Sequence, residues 1–100
     1  MHRHIEIDPH IKAGKPRIKG RRITVHDIVI WHERMGLSPD EIASSYDLQL
    51  SEIHDALAYY FDYRNEIDRE INEDSIYVKE VQKKYTSKLT QRLKESSSDA

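Results

Sequence analysis

Ser38 to Tyr60, SPDEIASSYDLQLSEIHDALAYY, reads as two short helices joined by a tight turn. Ser38 is placed to accept from a free N–H of a first helical turn. Pro39 loses nothing there, since its missing donor would go unpaired anyway, and Glu41 completes a capping box. Asp47-Leu48-Gln49-Leu50 forms the connector, and the second helix is predicted to start at Ser51. Ile53, Ala56, Leu57, Tyr60 and Phe61 then follow the i, i+3, i+4, i+7, i+8 spacing of one buried helical face. Helix, short turn, helix is the arrangement of DNA-binding helix-turn-helix proteins.

Working outward, His4 to Ile11 places Ile5 and Ile7 in alternation with polar residues, a short half-buried strand stopped by Pro9. So short a strand is not stable alone, and it is expected to pair with the following loop or with its copy in a second chain across a two-fold axis. Gly14 to Thr24 reads as a small loop or hairpin with strand positions at Ile18 and Ile23. Thr24 then caps a helix of roughly Val25 to Met35, with Asp27 three residues on and Gly36 as its stop. Val25, Ile28, Val29 and His32 form its inner stripe, and Trp31 shields an edge. From about Arg64 the chain reads as one long polar helix carrying Ile67, Ile71, Val78, Val81, Tyr85 and Leu89, ending in a frayed tail over 96–100.

The fold class is therefore mainly α: a short N-terminal strand and basic hairpin, a three-helix homeodomain-like helix-turn-helix core, and a long C-terminal helix. Two regions are assigned, a helix-turn-helix domain over 1–72 and a helical extension over 73–100. One hundred residues leave room for one small core. Charged residues are 34% of the chain and hydrophobic ones 37%, so that core is modest beneath a very polar surface. No apolar run approaches the roughly 20 residues needed to cross a bilayer, and the N-terminus has no apolar core for a signal peptide. The absence of cysteine excludes thiol chemistry and fits a cytoplasmic protein.

A net charge of −2 conceals segregation. Residues 1–37 carry eight Lys/Arg against four Asp/Glu, residues 38–74 two against eleven, and residues 75–100 six against three. Duplex DNA is gripped by cations that neutralise phosphates, and its sequence is read by side chains reaching base edges. The candidate grip is Lys15, Arg17, Lys19, Arg21 and Arg22, five cations in eight residues of a Gly-punctuated loop. The second helix of the pair would present Ser51, Glu52, His54, Asp55 and Ala58 outward. Ser51 and His54 join the candidate DNA-binding set, while the two carboxylates oppose phosphate. The acidic middle offers a face to a basic partner. On the distal helix, Val78, Val81, Lys84, Tyr85, Lys88, Leu89 and Arg92 form a candidate partner-binding stripe of the helix-in-groove kind.

No enzyme is indicated. The six histidines lack metal-ligand spacing, and His32-Glu33-Arg34-Met35 begins a zinc-protease helix pattern without its second histidine. No catalytic residue, metal or cofactor is assigned.

Four stretches in order, IEIDPHI, GKPRIKGRRITV, MGLSPDEIASSYD and LSEIHDALAYYFDYRNEID, resemble a widespread bacterial family of small antitoxin-like proteins. The resemblance covers roughly Ile5 to Ile71. Two departures stand out: Arg21 sits where a small polar residue is commoner, and Ala13 precedes Gly14 where a second glycine is common. Members resemble compact winged or homeodomain-like helix-turn-helix folds, and some are VapB-like antitoxins paired with a PIN-like ribonuclease toxin. What the resemblance implies is a cytoplasmic, dimeric protein that binds DNA, a toxin, or both, and the reading taken is an antitoxin of a type II toxin-antitoxin system. It would neutralise such a ribonuclease, through the distal helix with Lys79, Lys83, Lys84, Lys88, Arg92 and Lys94 facing an acidic metal site, and would bind its own operator DNA. The alternatives are a stand-alone DNA-binding transcriptional regulator and a protein-interaction module without DNA binding.

Overall fold

The computed structural model describes residues 2–98, with side chains described for 2–90. Strand β1 (Ile5–Glu6) pairs antiparallel with β2 (Arg17–Ile18), in the register Ile5 to Ile18 and Glu6 to Arg17. The strand thus finds its partner within its own chain, and a strand-to-strand contact across a two-fold axis is not needed to satisfy it. Ile5 packs against the core, whereas Ile7, expected on the same inner face, is 57% exposed because the strand ends at Glu6. Between the strands, Lys12, Ala13 and Gly14 all take positive φ (52°, 56° and 77°). Ala13 thus holds a left-handed conformation that glycine adopts without penalty and that costs alanine about 1 kcal/mol.

The third element, α1 (Val25–Val29), starts at a full capping box between Thr24 and Asp27. It runs directly into a π-helical turn over Ile30–Arg34, where the Met35 N–H reaches back to the Ile30 carbonyl at 3.0 Å. The chain then reverses at Gly36 (φ 73°). Residues 25–31 are all buried, so the helix is enclosed on every side rather than along one stripe. Trp31 is not an edge residue: it is 0% exposed, at the centre of the core.

Helix α2 (Pro39–Tyr46) opens with the Ser38–Glu41 capping box and ends at Asp47, which adopts the left-handed conformation (φ 53°). Helix α3 (Leu50–Asp62) buries Ile53, Ala56, Leu57 and Tyr60, while Phe61 remains 55% exposed. A break at Tyr63 leads to α4 (Arg64–Glu73), which buries Ile67 and Ile71.

The single long helix expected from Arg64 is in fact two. Asp74 (φ −121°, ψ 74°) interrupts it, and its carboxylate caps the next helix by accepting from the Tyr77 N–H at 3.0 Å. An Asp-Ser step inside a polar helical pattern carried this signal as an N-cap. The break turns α5 (Ser75–Ser98) back onto the domain, where Val81 and Tyr85 are each 5% exposed and Val78 packs beside them. Trp31 donates its indole N–H to the Val81 carbonyl at 3.2 Å, and Tyr85 shares a hydroxyl hydrogen bond with Ser45 at 3.1 Å. The boundary drawn at residue 72 therefore crosses a continuous core. The frayed tail expected over 96–100 falls on residues outside the described side chains.

If α5 completes the core, Tyr85→Ala should lower the free energy of unfolding by about 3 kcal/mol, the cost of deleting a buried aromatic. Tyr85→Phe, which removes only a hydroxyl hydrogen bond, should cost about 1 kcal/mol. Denaturant melts followed by Trp31 fluorescence measure both. A Tyr85→Ala protein as stable as the parent would mean that α5 leaves the domain in solution.

Candidate nucleic-acid interface

The five hairpin cations do not form one patch. Arg17 is only 5% exposed: its guanidinium pairs with Glu6 across the two-stranded sheet and donates to the Arg21 carbonyl at 3.0 Å. Its place is structural, since a charge so deeply buried needs a partner. Lys15 lies against α5, its ammonium 3.7 Å from the centre of the Tyr77 ring. Lys19 and Arg22 remain exposed at the hairpin tip around Gly20, without an ion-pair partner among the described residues.

Arg21, singled out from sequence as a departure, has a specific task. Its guanidinium donates to the Tyr46 carbonyl at 2.7 Å and to the Asp47 carbonyl at 3.2 Å. Those carbonyls lie at the C-terminal end of α2, where orphan acceptors and the negative pole of the helix favour a cation. Arg21 thereby fastens the hairpin to the turn that leads into α3. The Lys19 N–H bonds the His4 carbonyl at 2.8 Å, and the Asp55 carboxylate of α3 accepts from the His4 N–H at 2.8 Å. Hairpin, N-terminal segment and α3 are thus tied into one face.

On α3, Ser51, His54 and Ala58 are exposed. Glu52 and Asp55, expected outward with them, are half-buried: Glu52 turns back to the Gln49 N–H at 2.8 Å, and Asp55 serves the N-terminal segment. Both carboxylates thus accept internal hydrogen bonds from backbone N–H groups.

The distal stripe divides in two. Val78, Val81 and Tyr85 face inward and are occupied by the protein's own core. Lys88 lies over the Tyr46 ring at 4.7 Å, and Tyr46 stacks on Trp31 with centroids 4.4 Å apart. Lys79, Lys83 and Lys84 point to solvent with Leu89, which is 42% exposed. Arg92 and Lys94 lie outside the described side chains.

Sequence reasoning did not find the buried polar node beneath this helix. Asp27 donates its N–H to the Thr24 hydroxyl oxygen at 3.0 Å, and its carboxylate accepts from the Thr24 N–H at 3.1 Å and from the Tyr77 hydroxyl. The Thr24 hydroxyl is left to donate to the Tyr77 oxygen at 3.0 Å. Burial, and then the Asp27 charge, push the Tyr77 phenol well above its ordinary range. Burial chiefly raises Tyr46 as well, to about 12. The capping-box spacing was visible, but a partner fifty residues away was not. Among the described residues no group of three or more His, Asp or Glu side chains is gathered as a metal site, and no helix is long and apolar enough to cross a membrane.

The architecture is that of a small, mainly helical module with a two-stranded antiparallel sheet. The chain belongs to the family described as "Protein of unknown function (DUF433)", whose model matches residues 5–60. It is similar to the crystal structure of a DUF433 member protein from Anabaena variabilis ATCC 29413, at 31% identity and a TM-score of 0.64 over 69% of this chain and 68% of that one. No curated protein gives a significant match.

The two most strongly shifted phenols, Tyr46 and Tyr77, predict an alkaline transition. A phenol whose folded pKa lies above the ordinary 10.0 stabilises the fold fully below pH 10, and that contribution is lost as pH rises. For Tyr46 the loss runs between pH 10 and about 12. In an absorbance titration at alkaline pH, these two tyrosines should ionise only together with loss of helical circular dichroism. Smooth ionisation of all tyrosines near pH 10, with the helices intact, contradicts this node.

Proposed function

We propose that this protein is an antitoxin-type regulator that acts in the cytoplasm, binds its own operator DNA and neutralises a ribonuclease toxin of PIN-like type. The observation that carries the DNA reading is the pair of Arg21 hydrogen bonds to Tyr46 and Asp47. They hold the basic hairpin beside the entry to α3, as a wing lies beside a recognition helix. Lys19 and Arg22 would take backbone phosphates, and Ser51 and His54 would meet base edges or the neighbouring sugar-phosphate chain. Arg17 and Arg21 support this arrangement from within. A homodimer suits operator reading, because two half-sites related by symmetry match two protomers.

The toxin reading rests on α5. Because Val81 and Tyr85 turn inward, Lys79, Lys83 and Lys84 are displayed outward as a row of point charges. Such a row suits an acidic metal-dependent ribonuclease centre better than an apolar groove. Co-purification from native cells after nuclease treatment tests it: a stoichiometric ribonuclease partner lost on Lys79→Glu/Lys83→Glu is expected, and a clean homodimer without one favours the stand-alone regulator.

For DNA, fluorescence anisotropy on a fragment of the protein's own promoter is the measurement. Arg22→Ala and Lys19→Ala should each weaken binding and reduce the slope of log affinity against log salt by about 1, as loss of one phosphate contact does. Affinity that does not vary with salt, or that both variants leave intact, would sink the DNA reading.

A further inference from the structure

Two neighbouring hollows, of about 230 Å³ and 320 Å³, lie where α4 and the start of α5 meet the 12–16 turn. They share Lys15, His26 and Glu70. Neither belongs to the DNA surface described above, apart from Lys15, which is turned away from that surface onto Tyr77.

The walls have a consistent chemistry. The first hollow has Tyr59 and Tyr63 on one side, their rings 4.7 Å apart, with Glu66 and Glu70 beside them and an apolar floor from Pro16 and Ile67. The second is lined by Tyr77 with Glu70, Glu73 and Asp74. Aromatic faces attract cations through their quadrupole, and flanking carboxylates supply the opposite charge. The protein already shows this preference, because the cation in the second hollow is its own Lys15, seated on the Tyr77 ring.

His26 anchors the junction. It is 2% exposed, and its Nε2 lies 3.0 Å from Glu70, whose side chain is 48% exposed and open to a further donor. His26 Nδ1 has no partner, a cost the fold bears at this point alone on α1. At the rim stand Ile7 (57% exposed) and Tyr63 (47% exposed), apolar surface that a small free cation would leave uncovered.

We propose that this cleft is a docking site for a basic peptide segment of another protein. One Arg or Lys side chain would enter between Tyr63 and Glu66, and adjacent apolar residues would cover Ile7. Charge complementarity selects this occupant: the two hollows together are lined by four carboxylates, Glu66, Glu70, Glu73 and Asp74, against the single ammonium of Lys15. Lys15 is the resident competitor, and the incoming side chain would face it across Glu70.

The test uses the full-length protein and a fluorescein-labelled peptide of Arg-Leu-Gly repeats, followed by anisotropy and by amide chemical shifts. Tyr63→Ala and Glu66→Gln, both at exposed positions, should each weaken binding about tenfold, the loss expected of one desolvated cation contact. Asp40→Asn, an equal change of charge on α2, should leave binding unchanged. Lys15→Gln should tighten it more than Lys19→Gln does. Shift changes should centre on residues 59–70. Equal effects of Glu66→Gln and Asp40→Asn would reduce the interaction to net charge and overturn the proposal. So would binding of arginine amide as tight as that of the peptide, or shifts confined to another face. Because DNA affinity depends on Lys19 and Arg22, this result and the DNA result can fail separately.

Discussion

The contact on which the rest of this small protein depends is the burial of Trp31 under α5. An indole that carries no exposed surface must place its one N–H, and the Val81 carbonyl receives it. A helical carbonyl is free to take a second donor where the helix packs closely, so the bond fixes both the depth and the rotation of α5. Tyr46 stacks on one face of the indole, and Tyr85 fills the space beside both rings. A chain of this size, one-third charged, has few apolar residues to give to a core. Three aromatic rings from three separate helices therefore form its centre.

The π-helical turn at Ile30–Arg34 follows from the same constraint. Seven successive residues from Val25 to Trp31 are buried, which no regular amphipathic helix supplies. Widening the last turn swings Trp31 inward while His32 rotates out far enough to meet the Leu37 carbonyl through Nδ1, at 2.8 Å. The Asp27 node stands one turn earlier and holds the other end of the contact. Tyr77 reaches it from the first turn of α5, so the helix is pinned by a polar network at its start and by packing around Val81 and Tyr85 further along. A buried carboxylate is tolerable there because a backbone N–H and a hydroxyl both point at it.

Much of this was legible in the sequence, and where it was not the reason is distance along the chain. The capping boxes at Thr24 and Ser38 and the turn at Asp47 are local patterns that stand where their residues place them, and so is the buried face of α3 except for Phe61, which is exposed. The break at Asp74 was legible in principle, as a cap within a polar helix, but the continuous spacing of Ile67, Ile71 and Val78 concealed it. Trp31 looked peripheral because its enclosing helix begins more than forty residues later. The same is true of the hairpin cations. Their density suggested one basic patch, and only the folded chain separates Arg17, held by Glu6, and Arg21, held by two carbonyls, from Lys19 and Arg22.

That separation changes what the charge segregation means. Cations and carboxylates alternate in function along the chain according to whether a partner meets them. Arg17 and Arg21 assemble the hairpin and its seat. Glu41 and Glu52 cap helices, and Asp55 and Asp27 anchor segments distant in sequence. Among the charges that stay exposed, three groups stand out: Lys19 and Arg22 at the hairpin tip, Lys79, Lys83 and Lys84 on α5, and the carboxylates that line the cleft beside Tyr63. The three groups lie on different elements and differ in character. The first stands at the tip of a hairpin fastened to the end of α2, the second on a helix whose apolar side is already covered, and the third beside aromatic rings and a hollow. Only the third joins charge to concave apolar surface, the combination that gives a protein partner both orientation and area. Under the DNA reading proposed above, the exposed cations of the hairpin tip would meet a regular charged surface, which asks for spacing rather than a pocket.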